Sequence, residues 1–263
     1  MPYNIDDLLY LMARLREPGS GCPWDLKQSY ASIAPSTLEE AYEVVDTIER
    51  GDYDHLREEL GDLLFQVIFY SQLAREEDRF DFETIVDGLV SKLVRRHPHV
   101  FPDGTLESRV EDQSAVPESV KGRWEAIKQE ERAQKGVRGT LEDVPTNLPA
   151  LSRAAKLQKR AAGVGFDWPD IKGPLSKVRE ELAELEETLD SDDKALQQEE
   201  LGDLLFAVTN VARHLKIDPE AALRGASRKF EQRFSYVEQR AGPSLKACDL
   251  ETLDRYWNQA KRI

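Results

Sequence analysis

Glu59-Leu60-Gly61-Asp62-Leu63-Leu64-Phe65 returns unchanged as Glu200-Leu201-Gly202-Asp203-Leu204-Leu205-Phe206. The repeat is wider than this string. Glu39, Glu40 and Glu43 recur at the same 141-residue offset as Glu180, Glu181 and Glu184. Five acidic positions in one register, beside seven identical residues, mark an internal duplication.

The spacing carries a geometry. Residues three apart share a helix side, so Glu40 and Glu43 are neighbours, as are Glu59 and Asp62. Between the pairs, Arg50-Gly51-Asp52 reads as a turn. Folding the chain about Gly51 brings Glu43 level with Glu59 and Glu40 level with Asp62. Folding the second copy about Asp192 does the same for Glu184 with Glu200 and Glu181 with Asp203. Each antiparallel hairpin then gathers four carboxylates, which repel unless a cation lies among them. Oxygen donors without Cys or His favour a hard ion, Mg²⁺ or Mn²⁺. Single Glu pairs at this spacing are usually solvated. The level pairing, the duplication and the apolar stripe Leu60, Leu63, Leu64 and Val67 beside the acids argue for carboxylates bordering a buried face.

Composition bounds the reading. The 263 residues suit two domains, and 40% apolar residues supply cores. A net charge of −14 opposes a sequence-independent grip on nucleic acid. No apolar run is long enough to span a membrane, and the N-terminus lacks a secretory pattern, so a cytoplasmic chain is expected. Cys22 and Cys248 have no metal spacing and read as reduced thiols.

The expectation is an all-α chain. Helices are predicted over 5–16, 37–50, 53–77, 82–96, 148–162, within a second hairpin over 175–215, over 221–240, and at the C-terminus. The first acidic helix is expected to start after a Ser36-x-x-Glu39 capping box. Gly61 and Gly202 precede an acidic Asp inside a helix, pointing to close approach by another helix or a ligand. Trp24, in a Pro- and Gly-rich loop, suits either stacking on a flat ligand or closing the bundle. His97-x-His99 reads as a cationic helix end rather than a zinc pair. Boundaries follow as 1–101, a linker over 102–147 with one helix over 120–134, and 148–263. Lys229 and Arg233 lie four apart, as do Lys92 and Arg96, which fits phosphate binding opposite a metal. No P-loop or dinucleotide glycine motif occurs, and no Glu-x-x-His of a di-iron bundle.

These acidic patterns resemble the MazG nucleoside triphosphate pyrophosphohydrolases. So do Gly21-Cys-Pro-Trp-Asp25, Arg95-Arg-His-Pro-His-Val-Phe101, Val164-Gly-Phe-Asp-Trp168 and Lys229-Phe-Glu-Gln-Arg-Phe234. The resemblance spans nearly the whole chain. It implies tandem MazG-like helical domains whose four-helix bundles are completed by a homodimer. It implies Mg²⁺-dependent conversion of NTP or dNTP and water to NMP or dNMP and pyrophosphate, with the C-terminal unit competent. The implied metal ligands are Glu181, Glu184, Glu200 and Asp203; Glu180 is an implied nucleotide contact and, in the mechanism this suggests, the candidate base for the attacking water. Nucleotide contacts fall to Lys177, Glu199, Lys229, Arg233 and Trp257. Glu40, Glu43, Glu59 and Asp62 form a possible second metal site. Two other readings fit the same acids: a nucleotide- or alarmone-binding regulatory module without hydrolysis, and a structural helical dimer with solvated patches.

Overall fold

A computed structural model describes residues 2–110, 122, 124, 126–127, 130–132, 134, 136 and 139–262. The chain divides into two compact units, Met1–Gln129 and Glu130–Ile263. Among the described residues the secondary structure is helical, without strands, as the periodicity predicts.

The first unit holds α1 (Ile5–Leu15), α2 (Tyr30–Arg50), α3 (Tyr53–Glu76) and α4 (Phe82–Arg96). A short 3₁₀ turn, Asp25–Lys27, precedes α2. Asn4 caps α1 in a reciprocal box with Asp7. Gly51 ends α2 at φ 72°, a left-handed conformation glycine adopts without a Cβ penalty. Asp52 then caps α3 by accepting from His55 N at 3.2 Å. The α2–α3 hairpin therefore turns at Gly51, as the acidic spacing requires.

One boundary differs from expectation. Helix α2 starts at Tyr30 and carries Pro35 inside it. The cap is Ser29, whose Oγ accepts from Ser32 N at 3.3 Å while Ser32 Oγ accepts from Ser29 N at 2.8 Å. Proline lacks an N–H and disfavours a helix interior. Burial outweighs that cost here. Ile33 packs with Met12, Ile68, Phe69 and Leu73 in the core, with Tyr30 against the cluster. Thr37 Oγ1 also meets Tyr70 Oη at 2.8 Å. Local propensity pointed to Ser36; tertiary packing moved the start to Ser29. Arg16, itself buried, bridges the core edge, with Nη2 2.7 Å from Glu76 Oε2 and a bond to the Asp25 carbonyl.

The second unit holds α5 (Ala150–Ala162), α6 (Lys172–Thr188), α7 (Lys194–His214), α8 (Pro219–Ala241) and α9 (Leu250–Ala260). Helix α7 packs on α6 and on α5, and α9 packs on α8. Asp193 caps α7, and Gln197 Nε2 donates to Thr188 O (2.9 Å) and Ser191 O (3.0 Å), closing the second hairpin. Pro219 opens α8 behind the Asp218 cap.

The apolar stripe also differs. Leu60, Leu64 and Val67 are exposed on α3, as are Leu201, Leu205 and Phe206 on α7. Within one chain the acids therefore border a buried face through Glu59 on one side and an open apolar face on the other. A Cβ added at Gly61 or Gly202 would meet nothing within 4 Å, so the close approach expected there does not come from the chain itself. His97 ends α4, its Nδ1 2.6 Å from Leu93 O. The linker helix over 120–134 lies partly outside the described residues. Among the described residues no helix is long and apolar enough to cross a membrane.

If Ser29 rather than Ser36 caps α2, Ser29→Ala should destabilise the protein by about 1 kcal/mol in urea unfolding. Ser36→Ala should change it by less than about 0.5 kcal/mol. The reverse order would move the helix start back to the expected site.

Candidate active site

The first hairpin brings Glu40 of α2 together with Glu59 and Asp62 of α3. One oxygen from each lies within 4.8 Å of the others. Glu59 is 8% exposed. Burial, then the charges of Asp62, Glu43 and Glu59, push the Glu40 carboxyl above its usual range. Glu43 contributes to that field from outside the three-oxygen group. His55 Nε2 stands 2.7 Å from Glu59 Oε1. His55 was not among the expected site residues, yet its place four residues before Glu59 puts it on the same helix face.

The second hairpin repeats the arrangement. Glu181 of α6 meets Glu200 and Asp203 of α7 within 4.8 Å, and also meets Glu180 and Glu184 along α6. Glu181 belongs to both groups and is 4% exposed. Lys177 reaches it: Nζ lies 2.5 Å from Glu181 Oε1 and 2.7 Å from Glu180 Oε1. The hydrogen bonds to Glu180 and then Glu181 hold the Lys177 ammonium well above its ordinary range. Glu184 is exposed, but desolvation against the helix pair and then the Glu181 charge raise its carboxyl. Both clusters offer carboxylate oxygens alone, a donor set suited to a hard divalent cation. Register separates the halves elsewhere. Ser36 occupies the position equivalent to Lys177, and Leu196 the position equivalent to His55.

The remaining expected residues stand outside the carboxylate groups, three of them on α8 and α9. Phe230 and Phe234 of α8 stack at 5.8 Å, and Phe230 meets Trp257 of α9 at 5.2 Å. The Arg233 guanidinium lies 5.8 Å from the Trp257 ring. Lys229 is exposed, and so is Glu199 beside Glu200 on α7. Among the described residues no hydrogen bond or ion pair joins Lys229, Arg233 or Trp257 to the carboxylates.

A cavity of about 530 Å³ adjoins Lys177, Glu181 and Asp203, lined also by Gln158, Phe166 and Trp168. The loop carrying Phe166 and Trp168 is tied to α7 through Asp167. Arg213 Nη1 donates to Asp167 Oδ2 at 2.9 Å, Nη2 donates to Oδ1, and His214 Nε2 lies 3.0 Å from Oδ1. The Arg213 hydrogen bonds hold the Asp167 carboxyl at about 2. Gln158 and Asp167 escaped the functional reading of the sequence, because their partners are about fifty positions away.

A depressed carboxyl stabilises the folded state above its unfolded pKa, and that contribution is lost as pH falls through the folded value. Asp167→Asn should therefore destabilise the second unit by about 1–2 kcal/mol at pH 7, allowing for solvent screening. The gap from wild type should narrow as pH falls from about 4 towards 2. Thermal unfolding of both proteins across that range checks it; a pH-independent gap would leave the ion pair without a role.

Residues 28–101 and 172–237 match the model of the MazG nucleotide pyrophosphohydrolase domain, one segment over each acidic hairpin. The chain is 52% identical over 264 residues to the nucleoside triphosphate pyrophosphohydrolase of Escherichia coli (strain K12), covering 98% of this chain and 97% of that one. It is 41% identical over 260 residues to the nucleoside triphosphate pyrophosphohydrolase/pyrophosphatase MazG of Thermotoga maritima, covering 98% and 95%. It is also 43% identical to the uncharacterized protein YabN of Bacillus subtilis, of which it spans 54%. With its duplicated acidic hairpins and these full-length relatives, the chain belongs to the MazG nucleotide pyrophosphohydrolase domain family.

Proposed function

We propose that this chain is a nucleoside triphosphate pyrophosphohydrolase, cleaving NTP or dNTP with water to the monophosphate and pyrophosphate at its C-terminal acidic cluster. The observation that carries the reading is the convergence of Glu181, Glu200 and Asp203 beside Lys177. Full-length similarity to proteins named for that activity supports it. Glu181, Glu184, Glu200 and Asp203 would hold Mg²⁺, with Mn²⁺ as a substitute. When bound, such an ion supplies polarisation of a phosphoryl oxygen and a more acidic water.

The residues divide the remaining work. Glu180 lies outside the Glu181–Glu200–Asp203 group and is exposed, so its carboxylate is available to take a proton from the attacking water. Lys177 holds Glu180 in place at 2.7 Å and balances the buried Glu181 charge. Lys229 and Arg233 neutralise the pyrophosphate leaving group, and Trp257 backs Arg233. Glu199 adds a polar contact to the nucleotide. The cluster of Glu40, Glu43, Glu59 and Asp62 is a second cation site. In this reading 1–101 and 148–263 are the two catalytic-type domains, joined by 102–147. A nucleotide substrate and two free thiols suit a cytoplasmic chain without nucleic-acid or membrane partners.

The exposed leucines of α3 and α7 support a homodimer that completes four-helix bundles. An open apolar face of this kind gains by pairing with a second copy. Sedimentation should give about twice the 30.0 kDa chain mass, and Leu205→Glu should shift the protein towards one chain. A wild-type mass of one chain sinks the assembly.

Product analysis tests the chemistry. The eight common nucleoside triphosphates with Mg²⁺ should give monophosphate and pyrophosphate in equal amounts, resolved by anion exchange. Glu200→Gln should lower kcat roughly a hundredfold or more, since even groups supporting a metal ligand are worth about 10–100-fold. Diphosphate with phosphate would replace the mechanism, and unchanged turnover in a folded Glu200→Gln protein would end the C-terminal assignment.

A further inference from the structure

The cavity beside the C-terminal cluster is built from three helices. Leu157 and Gln158 come from α5, Lys177 and Glu181 from α6, and Asp203, Phe206 and Asn210 from α7. Its volume of about 530 Å³ is that of a small-molecule site. Asp203 to Asn210 runs two turns, about 10 Å, along α7. That is the reach of a nucleoside from its 5′ carbon to the far edge of its base. The walls between are mainly apolar, with Phe166 and Trp168 supplied by the loop after α5.

Two details show a shaped site rather than a packing gap. Trp168 lies against Gly173, where an added Cβ would fall 2.1 Å from Trp168 Cδ1. The bare glycine seats the indole, and the Asp167–Arg213 pair fixes the loop beside it. Then there is Gln158, 8% exposed. Its Nε2 donates to Phe206 O at 2.8 Å. A backbone carbonyl only accepts, so the amide orientation is set. Its Oε1 is left as a buried acceptor without a hydrogen-bond partner, an arrangement that opposes folding unless a donor arrives. Asn210 differs, since its Oδ1 already accepts from Arg213 Nε at 2.8 Å.

The first unit makes the contrast. The position equivalent to Asn210 is Phe69, which is 0% exposed in the core under the Arg16 guanidinium. The position equivalent to Ala207 is Gln66. Both halves keep the carboxylates, but the first fills this place on its return helix with a core aromatic ring. In the second unit Asn210 lines the cavity where the first unit has the buried Phe69.

We propose that this cavity takes the nucleobase of the triphosphate handled at the Glu181 cluster, and that Gln158 Oε1 accepts a hydrogen bond from an N–H on the base edge. The proposal rests on the hydrolytic reading for the identity of the ligand. Phe166 and Trp168 supply aromatic faces beside the base. Every common base presents an N–H donor, so the slot accepts all of them and rejects a base without one. A buried acceptor left empty by the ligand is a strong source of rejection.

ATP and purine riboside triphosphate differ by the 6-amino group and isolate the contact. Wild-type kcat/KM should favour ATP by at least about tenfold, and Gln158→Leu should reduce that preference to within about twofold. In parallel, calorimetry measures α,β-methylene ATP, which resists cleavage, and inorganic tripolyphosphate, which has no base. Gln158→Leu and Phe166→Ala should each weaken the nucleotide about fivefold or more and leave tripolyphosphate unchanged. Phe166 is 81% exposed, so that variant folds even where a core change does not. An unaltered preference for ATP, or equal losses for nucleotide and tripolyphosphate, overturns the base slot. If no triphosphate releases pyrophosphate but both variants still lose α,β-methylene ATP selectively, the hydrolytic reading fails and the slot stands.

Discussion

Carboxylates crowded onto facing helix turns repel one another, and much of the local structure answers that repulsion. In the first hairpin Glu40 is pushed towards protonation by burial and four neighbouring acids, and His55 sits against Glu59. In the second, Lys177 is drawn onto Glu180 and Glu181 and held there as a cation. Each cluster has a side chain from its own helices set against it. In the proposed function the same unfavourable field would favour a divalent ion, because the cost of gathering the acids is met by helix packing.

Helix packing can meet that cost because each hairpin is fixed at its turn. Gly51 and the Asp52 cap set the first register, while Gln197 and Asp193 set the second. A slip of one residue would rotate an acid about 100° off the shared face. The two halves use different residues for the same end, as expected of a duplication whose carboxylate geometry stayed while its surroundings diverged.

That divergence is concentrated around the acids. Ser36 against Lys177 and Leu196 against His55 stand four residues before an acid on the same helix, and Phe69 against Asn210 stands seven residues after one. The first unit spends its neighbouring volume on a close-packed core of Met12, Ile33, Ile68, Phe69 and Leu73. The second leaves an aromatic-walled cavity leading from its cluster. Both expose apolar faces on the helix that carries the acidic pair.

The sequence by itself determined the duplication, the helical class, the hairpin turn at Gly51 and the meeting of Glu40, Glu59 and Asp62 and of Glu181, Glu200 and Asp203. Periodicity and spacing carry these features because they arise within tens of residues along regular helices. Tertiary structure decided the rest. It started α2 at Ser29 despite Pro35, since burial of Ile33 exceeds a local helix penalty. It left the leucine stripe open, since a stripe names a face but not what covers it. It tied Asp167 to Arg213 and turned Gln158 towards Phe206, pairings separated by nearly fifty residues that no periodic pattern encodes. Lys177 was legible only through the family resemblance, as a nucleotide contact, and its hold on the buried Glu181 came from the packed structure.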